Sequence, residues 1–113
     1  MMGRGAMIVG CVLWWASVAL AGNATGDASK GKPLYLARCS FCHGPAGRGD
    51  GPAGAALKPP PTNFANADFW KSADLNRLRL VLKNGKPGTP MPPSQLAPEE
   101  IDDVLAYLRT FAD

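Results

Sequence analysis

The clearest hydrophobic pattern lies at the C-terminal end of the chain. Apolar side chains recur there at helical spacing and form one stripe, which consists of Ile101, Val104, Leu105 and Leu108. Pro98 suits the first turn of a helix, and acidic side chains after it complement the positive end of the helix dipole. Those residues, Glu99, Glu100, Asp102 and Asp103, are interpreted as capping and solvation. The sequence therefore predicts a helix that begins near Pro98.

Two further helices are predicted upstream. The first fits residues 30 to about 39, where four side chains share helical spacing: Gly31, Leu34, Tyr35 and Arg38. For the second, Ser72 suits an N-cap of a helix through residue 84 and Gly85 suits its end. Its apolar face consists of Leu75, Leu78 and Leu82. Because no strand pattern competes with these segments, the sequence predicts an all-α fold.

The predicted helices are separated by segments rich in glycine and proline. Residues 44–63 are dominated by Gly, Pro and Ala, and we expect no regular element there except one turn around residues 53–57. A second, rigid loop follows over residues 86–93, with prolines on both sides of Met91. A loop of about twenty residues is uncommon in so small a domain. The length of this segment therefore indicates that the chain wraps around a large ligand.

The N-terminal segment has the features of a secretory signal peptide. Arg4 precedes an apolar run over residues 6–20, and Ala19-Leu20-Ala21 is an A-x-A cleavage signature. The interpretation is a signal peptide over residues 1–21, a flexible leader over 22–29 and a domain over 30–113. Export to a bacterial periplasm is then expected. Two alternatives stay open: an uncleaved membrane anchor, and lipoprotein processing at Cys11 after Ile8-Val9-Gly10.

Charge and size narrow the range of functions. The net charge of +3 is too mild to indicate nucleic-acid binding. A domain of this length gains only marginal stability from its own apolar core, and such domains often depend on a disulfide, a metal or a cofactor.

One short motif indicates which of these the domain uses. Cys39-Ser40-Phe41-Cys42-His43 is C-x-x-C-H, the pattern of covalent haem attachment. Two thiols three positions apart can reach two vinyl groups of a porphyrin, and the imidazole that follows can reach the iron. The sequence therefore predicts one haem c bound through Cys39 and Cys42, with His43 as an iron ligand.

Two other interpretations of the motif are weaker. In an exported protein, C-x-x-C also forms structural disulfides or redox-active pairs, although a thioredoxin-like enzyme would need a βαβ pattern that is not seen here. Zinc would have Cys39, Cys42 and His43 as ligands and no fourth. His43 is the sequence's single histidine, and both cysteines outside the signal peptide lie next to it. The clustering of the single histidine with these two cysteines favours haem attachment.

Counting the methionines in the same way identifies a candidate for the second iron ligand. Met91 is the single methionine beyond the predicted signal peptide, and it lies between Pro90 and Pro92. A lone methionine is usually a core filler, but this rigid setting suits a thioether held at a fixed distance from a metal. We expect His43 and Met91 as the axial ligands. Lys83 or Lys86 as a replacement, or an open sixth position, are the alternatives.

These residues together resemble the class I, monohaem c-type cytochromes of bacterial type. Gly31 and Tyr35 match the first helix of that family, and residues 104–109 closely match its last helix. The resemblance implies crossing N- and C-terminal helices around a haem with one exposed edge. It also implies that a proline carbonyl, from Pro59, Pro60 or Pro61, accepts a hydrogen bond from His43. Trp70 resembles the family's indole donor to a haem propionate, although a plain core aromatic fits nearly as well.

The expected function follows from a haem iron with both axial positions filled by protein. Such an iron has little room for a substrate, so we expect a one-electron carrier and not an enzyme. The predicted partners are redox proteins, with Lys83 and Lys86 as docking candidates. A free carrier is expected to be a monomer, and membrane contact to occur only through partners or an uncleaved signal segment. The alternatives are a haem subunit of a larger dehydrogenase or oxidase, and a haem enzyme or gas sensor with a vacant site.

Overall fold

A computed structural model describes residues 26–113 and the isolated positions 5 and 10–12. Apart from those positions, the predicted signal peptide and residues 22–25 of the predicted leader lie outside the described residues. The helices of the described part are α1 (Ala28–Arg38), α2 (Ser40–His43), α3 (Ala67–Lys71), α4 (Leu75–Asn84) and α5 (Pro98–Thr110), with a 3₁₀ turn at Gly54–Ala56. This part contains no strand, which confirms the all-α prediction. None of its helices is long and apolar enough to cross a membrane.

Helix α1 begins earlier than the hydrophobic pattern predicted. Asp27 is its N-cap, and the Asp27 carboxylate accepts hydrogen bonds from the Ser29 backbone N–H (2.9 Å) and hydroxyl (2.6 Å). The Ser29 hydroxyl bond is the main reason that the pKa of Asp27 lies below its usual value. Because this cap satisfies a free N–H of the first turn, the helix starts at Ala28 and not at Lys30.

The prediction for the start of α4 was wrong. Asp74, not Ser72, is the N-cap, and its carboxylate accepts from the Asn76 N–H at 3.0 Å. Ser72 instead ends α3, a five-residue helix too short to give a periodic signal. The end of α4 was predicted correctly, since Gly85 follows it with a φ of 76° that favours glycine.

Helix α5 begins at Pro98 as predicted, but its acidic residues do more than cap it. The Glu100 carboxylate accepts from the Ala97 N–H at 2.9 Å, which is a capping contact. Asp102 pairs with the Arg79 guanidinium of α4 at 2.6 Å. Asp103 accepts from the Asp27 N–H at 2.7 Å. Two of the four acidic residues therefore link α5 to other elements.

The core lies mainly where α1 packs against α5, and we call these two helices the helical frame. Gly31 allows the close approach, because a Cβ at this position would overlap the Asp103 carbonyl. Tyr35 is completely buried and its ring contacts those of Tyr107 and Phe111, with centroids 5.4 and 5.1 Å away. The remaining buried apolar residues are Phe64, Trp70, Leu82, Ile101, Val104, Leu105 and Leu108. The predicted contact between the first and last helices is confirmed.

Candidate functional site

The C-x-x-C-H motif lies at the end of the helical frame, beside a cavity. The chain bends at Cys39 and continues as the short helix α2, in which the His43 N–H donates to the Cys39 carbonyl at 2.9 Å. The Tyr35 hydroxyl donates to the Gly44 carbonyl and so joins the buried core to the residue after His43. Cys39, Cys42 and His43 all line the cavity.

The cavity has a volume of about 330 Å³, within the size range of small-molecule and cofactor sites. Most of its wall is apolar and consists of Leu57, Pro59, Pro60, Pro61, Phe64, Leu82, Pro90, Met91, Pro92, Pro93 and Leu108. Two cations, Arg38 and Lys86, also line it, and no carboxylate does in the described part of the chain. Apolar walls with two thiols, an imidazole and a thioether suit a large apolar ligand that contains iron. The residues present therefore fit a covalently bound haem.

His43 is held by a backbone carbonyl, but not by that of a proline. Its Nδ1 lies 3.2 Å from the Thr62 carbonyl oxygen, which makes Nδ1–H the donor and leaves Nε2 with the lone pair that binds a metal. The expectation of Pro59, Pro60 or Pro61 was wrong. These prolines line the cavity, and the Phe64 N–H bond to the Gly47 carbonyl fixes the chain just beyond them. Burial lowers the pKa of His43, which favours the neutral imidazole, although the bond to Thr62 opposes this shift.

Phe64 is a second support for the imidazole, and no pattern in the sequence pointed to it. Its ring stacks on that of His43, with centroids 4.8 Å apart and an interplanar angle of 27°. The Phe64 carbonyl accepts from the Trp70 indole N–H at 2.8 Å. The Trp70 indole N–H thus has a backbone acceptor, and its buried ring fits the alternative of a plain core aromatic.

The buried surroundings of Cys39 do not favour a redox-active thiol pair. All three cysteines are free in the described residues. Burial raises the pKa of the Cys39 thiol to about 11, whereas reactive C-x-x-C thiols have a lowered pKa. Within the described residues, no three His, Cys, Asp or Glu side chains form a group that could hold a metal ion, so the zinc alternative lacks its ligand cluster.

Met91 lies in the same cavity, on the segment that follows α4. We call residues 86–95 the methionine loop. The Lys86 N–H donates to the Met91 carbonyl at 3.2 Å, and the Met91 N–H donates to the Thr89 hydroxyl oxygen at 3.3 Å. Gly85 lies so close to the loop that a Cβ would contact the Met91 carbonyl at 2.8 Å. Met91 is half-buried and packs against the core.

The structure thus brings all four predicted site residues, Cys39, Cys42, His43 and Met91, to one cavity. It separates the two lysines proposed as replacement ligands. Lys86 belongs to the lining of the cavity, whereas Lys83 does not belong to that lining in the described part of the chain.

Fold and site together define a small all-α protein of cytochrome type. The cytochrome c family model matches residues 28–112, and the chain belongs to this family. Members of the family carry a covalently attached haem c that contains iron, and they transfer electrons between redox partners. Proteins of this type are typically exported.

Individual relatives are similar over most of the chain. A cytochrome c6 from Gloeothece citriformis (strain PCC 7424) is 30% identical over 94 residues, which cover 83% of this chain and 76% of that protein. The c-type cytochrome KustC0563 has a TM-score of 0.60 and 29% identity, over 74% of this chain and 98% of its own. A chain of the Kuenenia stuttgartiensis reducing HAO-like protein complex has a TM-score of 0.64 and 26% identity. That match covers 75% of this chain but 42% of the other, so this chain spans less than half of its length.

Proposed function

We propose that this protein is a one-electron carrier that holds one haem c through thioether bonds from Cys39 and Cys42, with His43 and Met91 as the axial iron ligands. The observation that supports this best is the convergence of these four residues on one apolar cavity. His43 already has its Nδ1 engaged by Thr62, which is the arrangement expected of a metal-binding imidazole. Met91 is positioned on the same cavity by its two backbone hydrogen bonds.

When bound, the haem would supply the redox chemistry, because its iron can change between Fe(II) and Fe(III). The chain's residues set the conditions for that change. Thr62 and Phe64 fix the plane and tautomer of the His43 imidazole. Met91 as a ligand and the apolar wall both favour the reduced state and so raise the reduction potential. With both His43 and Met91 bound to the iron, the site would have no free position for a substrate, which supports a carrier and not an enzyme.

The charges at the cavity indicate the kind of partner. Arg38 and Lys86 line it, and both are exposed. An acidic surface on a redox partner would complement these cations and speed the encounter. We infer that the protein works outside the cytoplasm, in a bacterial periplasm, as a monomer that meets its donor and acceptor in turn.

Met91→Ala tests the ligand assignment. In protein made with a cytochrome c maturation system, the variant should keep its haem through acid–acetone extraction, because Cys39 and Cys42 are unchanged. The ferric form should lose its sulfur-to-iron charge-transfer absorption, the potential should fall, and weak peroxidase activity should appear as peroxide gains access. Leu57→Ala is the matched control, since it shortens another apolar side chain of the same cavity and should leave the absorption in place.

Two results would contradict the proposal. If wild-type and Met91→Ala have the same ferric spectrum and potential, Met91 has only a packing role in the loop. The sensor or enzyme alternative is then favoured. If haem is extracted from the wild-type protein by acid–acetone, the thioether bonds are absent. A Cys39–Cys42 disulfide in material from the native host would have the same meaning.

A second candidate function is a haem subunit of a larger oxidoreductase. The similarity to part of a chain in a multiprotein complex favours it, because a domain of this shape occurs there within a longer polypeptide. Size-exclusion chromatography of the protein from its native source distinguishes the two. Elution as a monomer supports the carrier, and co-elution with a dehydrogenase or oxidase supports the subunit.

A further inference from the structure

We propose that Arg38 is a latch that holds the methionine loop closed across the cavity, and thereby slows the loss of Met91 from the iron. The inference rests on the function proposed above. Arg38 is the last residue of α1 and directly precedes Cys39. Its guanidinium Nη1 donates to the Ser94 carbonyl at 2.9 Å, across 56 positions of sequence.

This hydrogen bond connects the two parts of the site that would hold the haem. Arg38 and Ser94 both line the cavity. Arg38 extends from the helix end that carries the thiols, and Ser94 lies three residues after Met91. A bond between them therefore ties the chain next to the thiols to the chain next to the proposed thioether ligand.

Ser94 is also the point at which the methionine loop is fixed from the other side. Its N–H donates to the carbonyl of Leu82, a buried residue of α4, at 2.9 Å. Its carbonyl has Arg38 as a partner, and Gln95 follows with a φ of 61°, in the left-handed region that non-glycine residues rarely adopt. A strained residue persists only where its neighbours are held in place, and the two bonds to Ser94 do this.

The rest of the loop lacks such anchors to the helical frame. From Lys86 to Met91 its hydrogen bonds are internal, between Lys86, Thr89 and Met91 themselves. None of residues 86–95 is fully buried. Local opening of this segment should therefore depend strongly on its end at Ser94, and release of Arg38 should favour the open loop without unfolding α1 or α5.

The test measures how fast imidazole replaces Met91 in the ferric protein, followed by the disappearance of the sulfur-to-iron charge-transfer absorption. Arg38→Gln should accelerate the replacement by about threefold to tenfold, the effect of losing one exposed hydrogen bond from a charged donor. Arg38→Lys, which keeps the charge and a donor, should lie between wild-type and Arg38→Gln. Arg77→Gln removes the same charge from an exposed position on α4 and should leave the rate unchanged.

The outcomes separate the latch from the function on which it rests. Absence of the charge-transfer absorption in the wild-type protein would overturn methionine ligation itself. If the absorption is present and Arg38→Gln exchanges at the wild-type rate, Met91 ligation stands and the latch is wrong. Equal acceleration in Arg77→Gln would also overturn the latch, because the effect would then be one of net charge. Denaturation midpoints measured in parallel should be equal for the two glutamine variants.

Discussion

Tyr35 and Val104 of the helical frame are completely buried, whereas every residue of the methionine loop keeps part of its surface exposed. The frame is held by ring contacts and close backbone packing at Gly31. The loop is held by hydrogen bonds within itself and by the two bonds of Ser94, and it contributes part of the wall of a cavity. The frame thus contributes most of the buried core, whereas the loop forms part of the wall of the proposed haem site. Substitutions in the two regions should therefore affect different measurements.

The largest effect is expected from Tyr35→Ala in the frame. The variant leaves a cavity at a completely buried site and removes the hydroxyl that donates to the Gly44 carbonyl. The free energy of unfolding should therefore fall by about 3–5 kcal/mol. Chemical denaturation of the haem-containing protein measures this. Leu36→Ala, at the next position and 46% exposed, is the control and should change stability by no more than about 0.5 kcal/mol. Similar losses in both variants would mean that the frame is not the stabilising region.

A smaller loss should follow Gly31→Ala. The added Cβ would overlap the Asp103 carbonyl and push α1 away from α5, at a cost of about 1–3 kcal/mol. Alanine favours helix over glycine by about 1 kcal/mol, which offsets part of this cost. Lys32→Ala, on the exposed side of the same helix, has no such overlap and should be close to neutral. A net gain in stability for Gly31→Ala would show that the helices can separate without penalty.

Two ion pairs of the scaffold should differ in their contributions. Asp102 and Arg79 join α5 to α4, with side chains 26% and 34% exposed, and Asp102→Asn should cost about 1 kcal/mol. Asp68 and Lys71 form a pair within α3 with side chains 81% and 77% exposed, and Asp68→Asn should cost at most about 0.3 kcal/mol. Denaturation at low and high salt measures both. Equal effects would indicate that the link between α4 and α5 adds nothing to stability.

The smallest effect on stability is expected from Lys86→Glu, which should instead change the rate of association with a redox partner. Lys86→Glu places a negative charge at the cavity and should slow association with an acidic redox partner by roughly threefold at low salt. The reduction in rate should vanish near 1 M salt, where the Debye length is about 3 Å. Lys32→Glu on α1 makes the same charge change outside the cavity lining and should have little effect. Stopped-flow kinetics with both variants would refute the docking role if the two rates agree.

The residues that would bind haem were predictable because their chemistry is encoded in adjacent or unique positions. Cys39, Cys42 and His43 form one continuous motif, and Met91 could be found by counting methionines. Their supports were not predictable in the same way. Thr62, Phe64 and Ser94 act through a backbone carbonyl or a ring contact, and neither role leaves a characteristic residue type in the sequence. The expected role of the prolines was wrong for this reason.

The contact of Gly31 and Tyr35 with the last helix was implied by the family resemblance, whereas the sequence by itself determined the helical class, the start of α5 and the end of α4. These features depend on local capping, on hydrophobic period and on a motif of short range. Only the tertiary structure decided which carbonyl holds His43, which acidic side chains link helices, and that Arg38 bonds to Ser94. Each of these contacts joins residues at least 19 positions apart. Their partners are selected by how the loops pack against the frame, and this packing is not encoded in any short segment.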